Sequence, residues 1–253
     1  MESALEQIRV VLVEPAGPLN VGAVARIMKN MGLRHLVLVN PHCHPLEAQA
    51  RQMAVHAADI LEAAEQVNSL PLALSGCYRA IATTARQRDH RTPLEHPKQA
   101  LPWLLGQPSA LIFGPEDRGL SNTELNYAQR WVGIPSHADY PSLNLSQAVA
   151  VCCYELYQST QTPVQSVPLV TNIPQPSAPL ATLDALEQAL EHLESVLLNI
   201  GYLYPHTAAS RMQKFRHIFQ RSHLCAEEIA LLRGILRQIE WSSQHSHSPD
   251  SGQ

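Results

Sequence analysis

The stretch "VEPAGPLNVGAVARIMKNMG", Val13 to Gly32, leaves an apolar run, turns through Gly17 and Pro18 and continues in a helical pattern. It reads as the first strand-to-helix turn of an α/β domain. Its glycines do not make a nucleotide loop. Gly17 and Gly22 bracket Pro18, Leu19, Asn20 and Val21, with no G-x-G-x-x-G and no lysine where a phosphate loop needs one. Asn20 is expected to cap the helix, its side-chain oxygen accepting from an orphan amide of the first turn. Val21, Val24, Ala25 and Met28 then form the buried stripe, and Gly32 stops the helix. Gly22, Arg26 and Asn30 share another stripe at i, i+4 spacing, so the glycine leaves room for something to approach beside an arginine. A capped surface helix with a solvated arginine accounts for the same residues.

Working outward, β-rich runs recur at "IRVVLV" (Ile8 to Val13), "HLVLV" (His35 to Val39), "YRAIATT" (Tyr78 to Thr84), "SALIF" (Ser109 to Phe113) and "RWVGI" (Arg130 to Ile134). Helical patterns lie between most of them. This alternation predicts an α/β domain over 1–159 with a mainly parallel sheet covered by helices on both faces. In such sheets ligands bind at the carboxyl ends of the strands. A proline-rich linker is expected at 160–180, with Pro163, Pro168, Pro174, Pro176 and Pro179 and no helical period. Leu183, Leu186, Leu190, Leu193, Leu197 and Ile200 then step by threes and fours, an amphipathic stripe. Further helical patterns surround Met212, Phe215 and Phe219, and Ile229, Leu232, Ile235 and Ile239, giving a small all-helical domain over 181–241. The polar segment 242–253 is expected to be a disordered tail.

Composition narrows the class. An apolar fraction of 45% in 253 residues can supply a buried core. No apolar run approaches a membrane span, and "MESALEQIRV" lacks the features of a signal peptide, so a cytoplasmic protein without membrane contact is expected. The five cysteines, Cys43, Cys77, Cys152, Cys153 and Cys225, form no C-x-x-C pair and are expected to be reduced thiols. "PHCHP" offers His42, Cys43 and His44, but three adjacent residues between prolines cannot easily close round one ion, so no metal is expected. The net charge of −4 leaves room for local basic patches. "ARQRDHR" holds Arg86, Arg88 and Arg91; "SRMQKFRHIFQRSH" holds Arg211, Lys214, Arg216 and Arg221. Both suit phosphate binding, and a solvated helix face also explains the second.

Two later turns carry polar residues. In "FGPEDRGLSNTEL", Ser121 and Glu124 make a capping box, so Gly114 to Gly119 is an exposed loop at a strand's carboxyl end. Gly114 allows backbone to approach a ligand. Glu116 either binds loop amides or serves a site. In "IPSHADYPSLNLSQAVAVCCYEL", Ser142 and Asn144 are capping candidates for a helix that buries Cys152 and Cys153.

These residues carry a likeness. "NVGAVAR", "FGPEDRGLS" and "IPSHADYPSLNLSQAVA" resemble, in order and spacing, the three motifs of the SPOUT class of S-adenosylmethionine-dependent RNA 2′-O-ribose methyltransferases. With the helical extension, the chain looks most like the bacterial TrmJ family, which methylates the ribose of nucleotide 32, cytidine or uridine, in the tRNA anticodon loop. The resemblance implies a C-terminal trefoil knot in the α/β domain and a homodimer with composite active sites. It implies a donor site of Thr83, Thr84, Ala85, Gly114, Glu116, Ile134, Ser142, Leu143 and Asn144. It implies catalytic duties for Asn20, Arg26, Glu116, Ser142 and Asn144, with Arg26 also on the RNA side. The helical extension would bind substrate or support the dimer. Pro115 and Asp117 depart from the more basic flanks that some members place around the glutamate. Two other readings are a ribosomal RNA 2′-O-methyltransferase of the same superfamily and a catalytically silent RNA-binding dimer. A decayed site should have lost some of these polar residues, and related ribosomal enzymes commonly carry their extra domain before the catalytic one.

Overall fold

Ile8–Val13 (β1) is apolar but for Arg9, and its inner residues are fully buried because a strand pairs on each side of it. His35–Val39 (β2) lies on one side and Ser109–Phe113 (β6) on the other, Val11 sitting level with Val37 and Ile112. Glu65–Val67 (β3), Arg79–Thr83 (β4), Leu94–Glu95 (β5) and Arg130–Val132 (β7) complete a seven-stranded sheet in the order β3-β2-β1-β6-β4-β7-β5, every pair parallel. The computed structural model describes residues 4–85, 93–161 and 179–245. It divides into two compact units, Met1–Thr171 and Asn172–Gln253.

The first, second and fourth apolar runs become strands with the expected bounds. β4 and β7 are shorter than their runs, although Thr84 still donates to Val132 O at 3.0 Å and Gly133 to Glu95 O at 3.0 Å. β3 and β5, "EQV" and "LE", were not legible as strands. They are two or three residues long at the sheet edges, where little is buried and no apolar pattern is required.

The helices of this unit are Pro18–Asn30 (α1), Ala48–Ala54 (α2), Ala58–Glu62 (α3), Leu70–Ala73 (α4), Pro97–Ala100 (α5), Asn122–Leu125 (α6) and Leu145–Gln161 (α7). α1 buries Val21, Val24, Ala25 and Met28, and Gly32 follows it at φ +76°. Its start corrects the sequence reading. Pro18 occupies the first helical turn and Gly17 is the N-cap, so Asn20 lies inside the helix and caps nothing. Proline suits that place because its missing N–H would have been an orphan anyway. Gly22 also has another duty. A Cβ there would stand 2.2 Å from Ala50 O, so the room beside Arg26's stripe is taken by the backbone of α2.

α7 runs two residues past the expected boundary at 159. Ser159 and Thr160 turn their hydroxyls onto Leu156 O and Tyr157 O at 2.6 and 2.7 Å, and no proline interrupts the helix before Pro163. Cys152 and Cys153 lie on its buried face. All five cysteines are buried thiols, and burial pushes Cys153 up to about 12. Iodoacetamide at pH 8 should therefore leave Cys152 and Cys153 unmodified in the native protein and label both after denaturation. Mass spectrometry of the digested protein reads the result; native labelling of either would mean that α7 opens.

The second unit holds Leu183–Asn199 (α8), Pro205–Arg221 (α9) and Ala226–His245 (α10). Leu190, Leu203, Ala208 and Met212 form its core, with Leu186, Leu193, Leu197, Phe215 and Phe219 packed around them. Leu180 bridges Cys225 in an antiparallel pair, which ties the entering chain to the α9–α10 turn. α10 reaches His245, four residues past the expected end, and His245 stacks on Trp241 at 4.4 Å. Two apolar stripes are only partly covered: Ile229 and Leu236 are buried on α10, whereas Ile235 and Ile239 are 50% and 37% exposed, as is Ile200 at 44%. The expected linker and tail fall largely outside the described residues, as do Arg86, Arg88 and Arg91.

Candidate functional site

β6, β4 and β7 are neighbours in the sheet, so the loops leaving their carboxyl ends meet at one edge. Between these loops and the start of α7 lies a cavity of about 150 Å³. Thr83, Thr84 and Ala85 reach it from β4; Gly114 and Glu116 from β6; Ile134, Ser142 and Leu143 from the β7–α7 loop. Eight of the nine residues expected around the donor therefore line it. The ninth, Asn144, stands outside the lining and caps α7, its Oδ1 accepting from Ser146 N at 2.9 Å and Ser146 Oγ at 2.7 Å. Phe113, Val132, Leu145 and Ala148 give the cavity an apolar wall, while Thr84, Ser142 and Glu116 give it polar ends. That mixture fits a ligand with a flat aromatic part and charged or hydroxylated extremities.

Gly114 is required by the protein itself. A Cβ would stand 2.3 Å from Leu120 N and 2.5 Å from the carbonyl carbon of Gly119, so the loop folds back onto its own first residue. Gly119, at φ +64°, makes that return possible. The turn is then locked by the expected capping box, with Ser121 Oγ accepting from Glu124 N at 3.2 Å and Glu124 accepting from Ser121 N at 2.6 Å.

Glu116 reaches from this loop to α1. Its Oε2 accepts from Ala16 N at 3.2 Å, and its Oε1 accepts from Gly17 N at 3.2 Å and from Asn20 Nδ2 at 3.0 Å. The carboxylate thus sits at the amide-rich end of α1, where negative charge is stabilised. Because β1 and β6 are adjacent, this one side chain joins the first motif to the second. Asn20 and Glu116 are brought together, each explaining the other. Arg26 is exposed, does not line the cavity, and makes no hydrogen bond or ion pair among the described residues.

Sequence reasoning missed Arg118 and Glu14. Arg118 lines the cavity and forks to Glu14 Oε2 at 2.7 Å and to Glu124 at 2.9 and 3.1 Å. The bonds to Glu124 and then Glu14 raise its pKa. Burial pushes the Glu124 carboxyl up, but the bonds from Arg118 and from Ser121 bring it below the usual carboxylate value. Glu14, the residue after β1, stands at φ +48°, a conformation uncommon for a residue with a side chain. The only signal was a cation directly after two acids in "PEDRG", which does not reveal a partner 104 residues away. Cys43 lies near the same cluster, its Sγ 3.6 Å from Pro15 O. Burial raises its pKa, as do the charges of Glu47 and Glu116, which makes it a poor nucleophile.

In the helical unit, Arg216 donates from Nε and Nη2, one edge of its guanidinium, to the two carboxylate oxygens of Glu187, the side chains only 12% and 15% exposed. This pair joins α9 to α8 and gives Arg216 a carboxylate partner. Arg211, Lys214 and Arg221 remain exposed.

The chain matches the model of the SpoU rRNA Methylase family over residues 7–154 and that of the tRNA methyltransferase TrmJ, C-terminal domain, over residues 184–250. It is 37% identical over 248 residues to the tRNA (cytidine/uridine-2′-O-)-methyltransferase TrmJ of Cronobacter sakazakii, covering 94% of this chain and 98% of that one. It is 39% identical over 244 residues to the tRNA (cytidine/uridine/adenosine-2′-O-)-methyltransferase TrmJ of Pseudomonas aeruginosa, covering 93% and 95%. Among solved structures it resembles TrmJ from Z. mobilis, with a TM-score of 0.79 and 29% identity, covering 92% of this chain and 98% of that one.

Proposed function

The chain belongs to the SpoU methylase family, in its TrmJ branch, and on that premise we propose that it methylates the ribose 2′-hydroxyl of nucleotide 32, cytidine or uridine, in the tRNA anticodon loop. The observation that carries this reading is the convergence of three strand-end loops on one cavity whose Glu116 also holds the start of α1, the Arg26 helix. S-adenosylmethionine is the methyl donor. Its adenosine suits the apolar wall of Phe113, Val132 and Leu145, and its polar ends suit Thr84, Ser142 and Glu116. The cavity loops belong to a trefoil knot, and the active enzyme is a cytoplasmic homodimer with composite sites.

The donor supplies an electrophilic methyl group on a sulfonium; its transfer to the 2′-oxygen leaves a neutral thioether and releases one proton. The protein must bring the two reactants in line and lower the cost of developing negative charge on the oxygen. A guanidinium stays protonated and is a poor base. Arg26 therefore clamps the phosphate beside the target ribose and stabilises the forming alkoxide, while water accepts the proton. Asn20 and Glu116 hold its helix; Thr83 to Ala85, Gly114, Ile134 and Ser142 to Asn144 shape the donor site. Arg86, Arg88 and Arg91, with Arg211, Lys214 and Arg221 of the helical unit, meet tRNA phosphates.

Incubation with labelled S-adenosylmethionine and either total tRNA or ribosomal RNA tests the reading. The expected product is a 2′-O-methylnucleoside at tRNA position 32. Label confined to ribosomal RNA would overturn the substrate, and label in neither would overturn the activity.

A further inference from the structure

α9 is unlike the rest of the chain. In 17 residues it carries Arg211, Lys214, Arg216 and Arg221 and no acidic side chain, within a protein of net charge −4. With Arg216 bound to Glu187 of α8, the other three cations lie at i, i+3 and i+10, a single exposed stripe. Acidic residues collect instead on α8, at Asp184, Glu187, Glu191 and Glu194.

At its N-terminal end the stripe runs into exposed aromatic rings. Tyr202 and Tyr204, in the turn between α8 and α9, are 54% and 57% exposed. The Arg211 guanidinium lies 5.7 Å from the centre of the Tyr202 ring and donates to Tyr202 O at 3.4 Å. The Tyr204 ring stacks on His206 with centroids 6.0 Å apart and planes 24° from parallel. Each tyrosine is backed by a cation or a second ring and still shows more than half of its surface. Burial does not explain two such rings on a tight turn. Their neighbour Leu203, by contrast, is 2% exposed and belongs to the core. Rings set in a positive field are what unpaired nucleotides require, since bases stack on aromatic faces while phosphates meet the cations.

We propose that Tyr202 and Tyr204 form a base-stacking platform for unpaired nucleotides of the RNA, continued by the Arg211, Lys214 and Arg221 stripe that holds the adjoining phosphates. This rests on the reading of the protein as a tRNA enzyme and adds to it a second contact, remote in sequence from the methyl-transfer motifs. Stacking and phosphate contacts differ in their response to salt. A lost phosphate contact reduces the steepness of the salt dependence by about one unit per cation, whereas a lost stacking contact weakens binding and leaves the steepness alone.

The test is binding of an unmodified tRNA transcript to the full-length protein over a series of salt concentrations. Changing Tyr202 and Tyr204 together to alanine should raise Kd roughly tenfold or more with an unchanged salt slope. The same pair changed to phenylalanine should bind as the unsubstituted protein does. Lys214→Gln should lower the slope by about one. If the double alanine variant melts early by circular dichroism, Tyr204→Ala alone carries the test. A folded alanine variant that binds within twofold of the unsubstituted protein overturns the platform, as does equal loss in the phenylalanine variant. Should the unsubstituted protein methylate tRNA normally while these rings prove irrelevant, only the platform falls. Failure of the unsubstituted protein to bind tRNA overturns both readings.

Discussion

Arg26→Lys is expected to lower turnover roughly 10²- to 10³-fold, the loss typical of removing one preorganised donor from a developing oxyanion. The thermal midpoint and the affinity for S-adenosylmethionine should not change. Arg26 is exposed and bonds to nothing among the described residues, so its removal takes no support from the fold. It also lies outside the cavity proposed for the donor. Lysine keeps the charge but presents a single ammonium in place of a planar fork, and cannot hold a phosphate and a ribose oxygen together. Single-turnover methylation at saturating tRNA, with donor affinity measured by calorimetry, separates these quantities. Near-normal turnover in the lysine variant would end the clamp model. A parallel loss of donor affinity would move Arg26 into the cavity's own chemistry.

The central strands were legible because β1, β2 and β6 are covered on both faces and must be nearly continuous in apolar residues. β3 and β5 were not, because an edge strand of two or three residues needs no such pattern. The glycines show the limit of reading one chain. "NVGAVAR" and "FGPED" reveal that Gly22 and Gly114 lack a Cβ, but not what occupies the space. In both cases it is the protein's own backbone, Ala50 against Gly22 and Gly119–Leu120 against Gly114, and not a ligand. Asn20 was misread for a related reason. A cap is a local device that sequence can suggest, whereas its true partner, Glu116, lies 96 residues away and meets it only because β1 and β6 pair. Arg118 and Glu14 are hidden in the same way. The motifs, by contrast, picked out residues that converge: of the nine expected around the donor, all but Asn144 line one cavity.

That partnership is the second large effect. Glu116→Ala should lower turnover by about 10² and raise the KM for the methyl donor, because the loop that lines the cavity would lose its hold on α1 and positioning errors near one ångström cost that much. Stability should fall by only about 1 kcal/mol, since Glu116 is exposed and water can serve the amides of Ala16 and Gly17 once the carboxylate is gone. Glu116→Gln should lie between. Its carbonyl can still accept from Gly17 N and Asn20 Nδ2, but its amide group would face Ala16 N, donor against donor. Asn20→Ala removes one end of the same 3.0 Å bond. If Glu116 acts through α1, adding Asn20→Ala to Glu116→Ala should cost much less than the two single effects combined. Kinetics of the single and double variants measure this directly. Full additivity would mean that Glu116 serves the donor alone and that the tie between the first and second motifs has no part in catalysis.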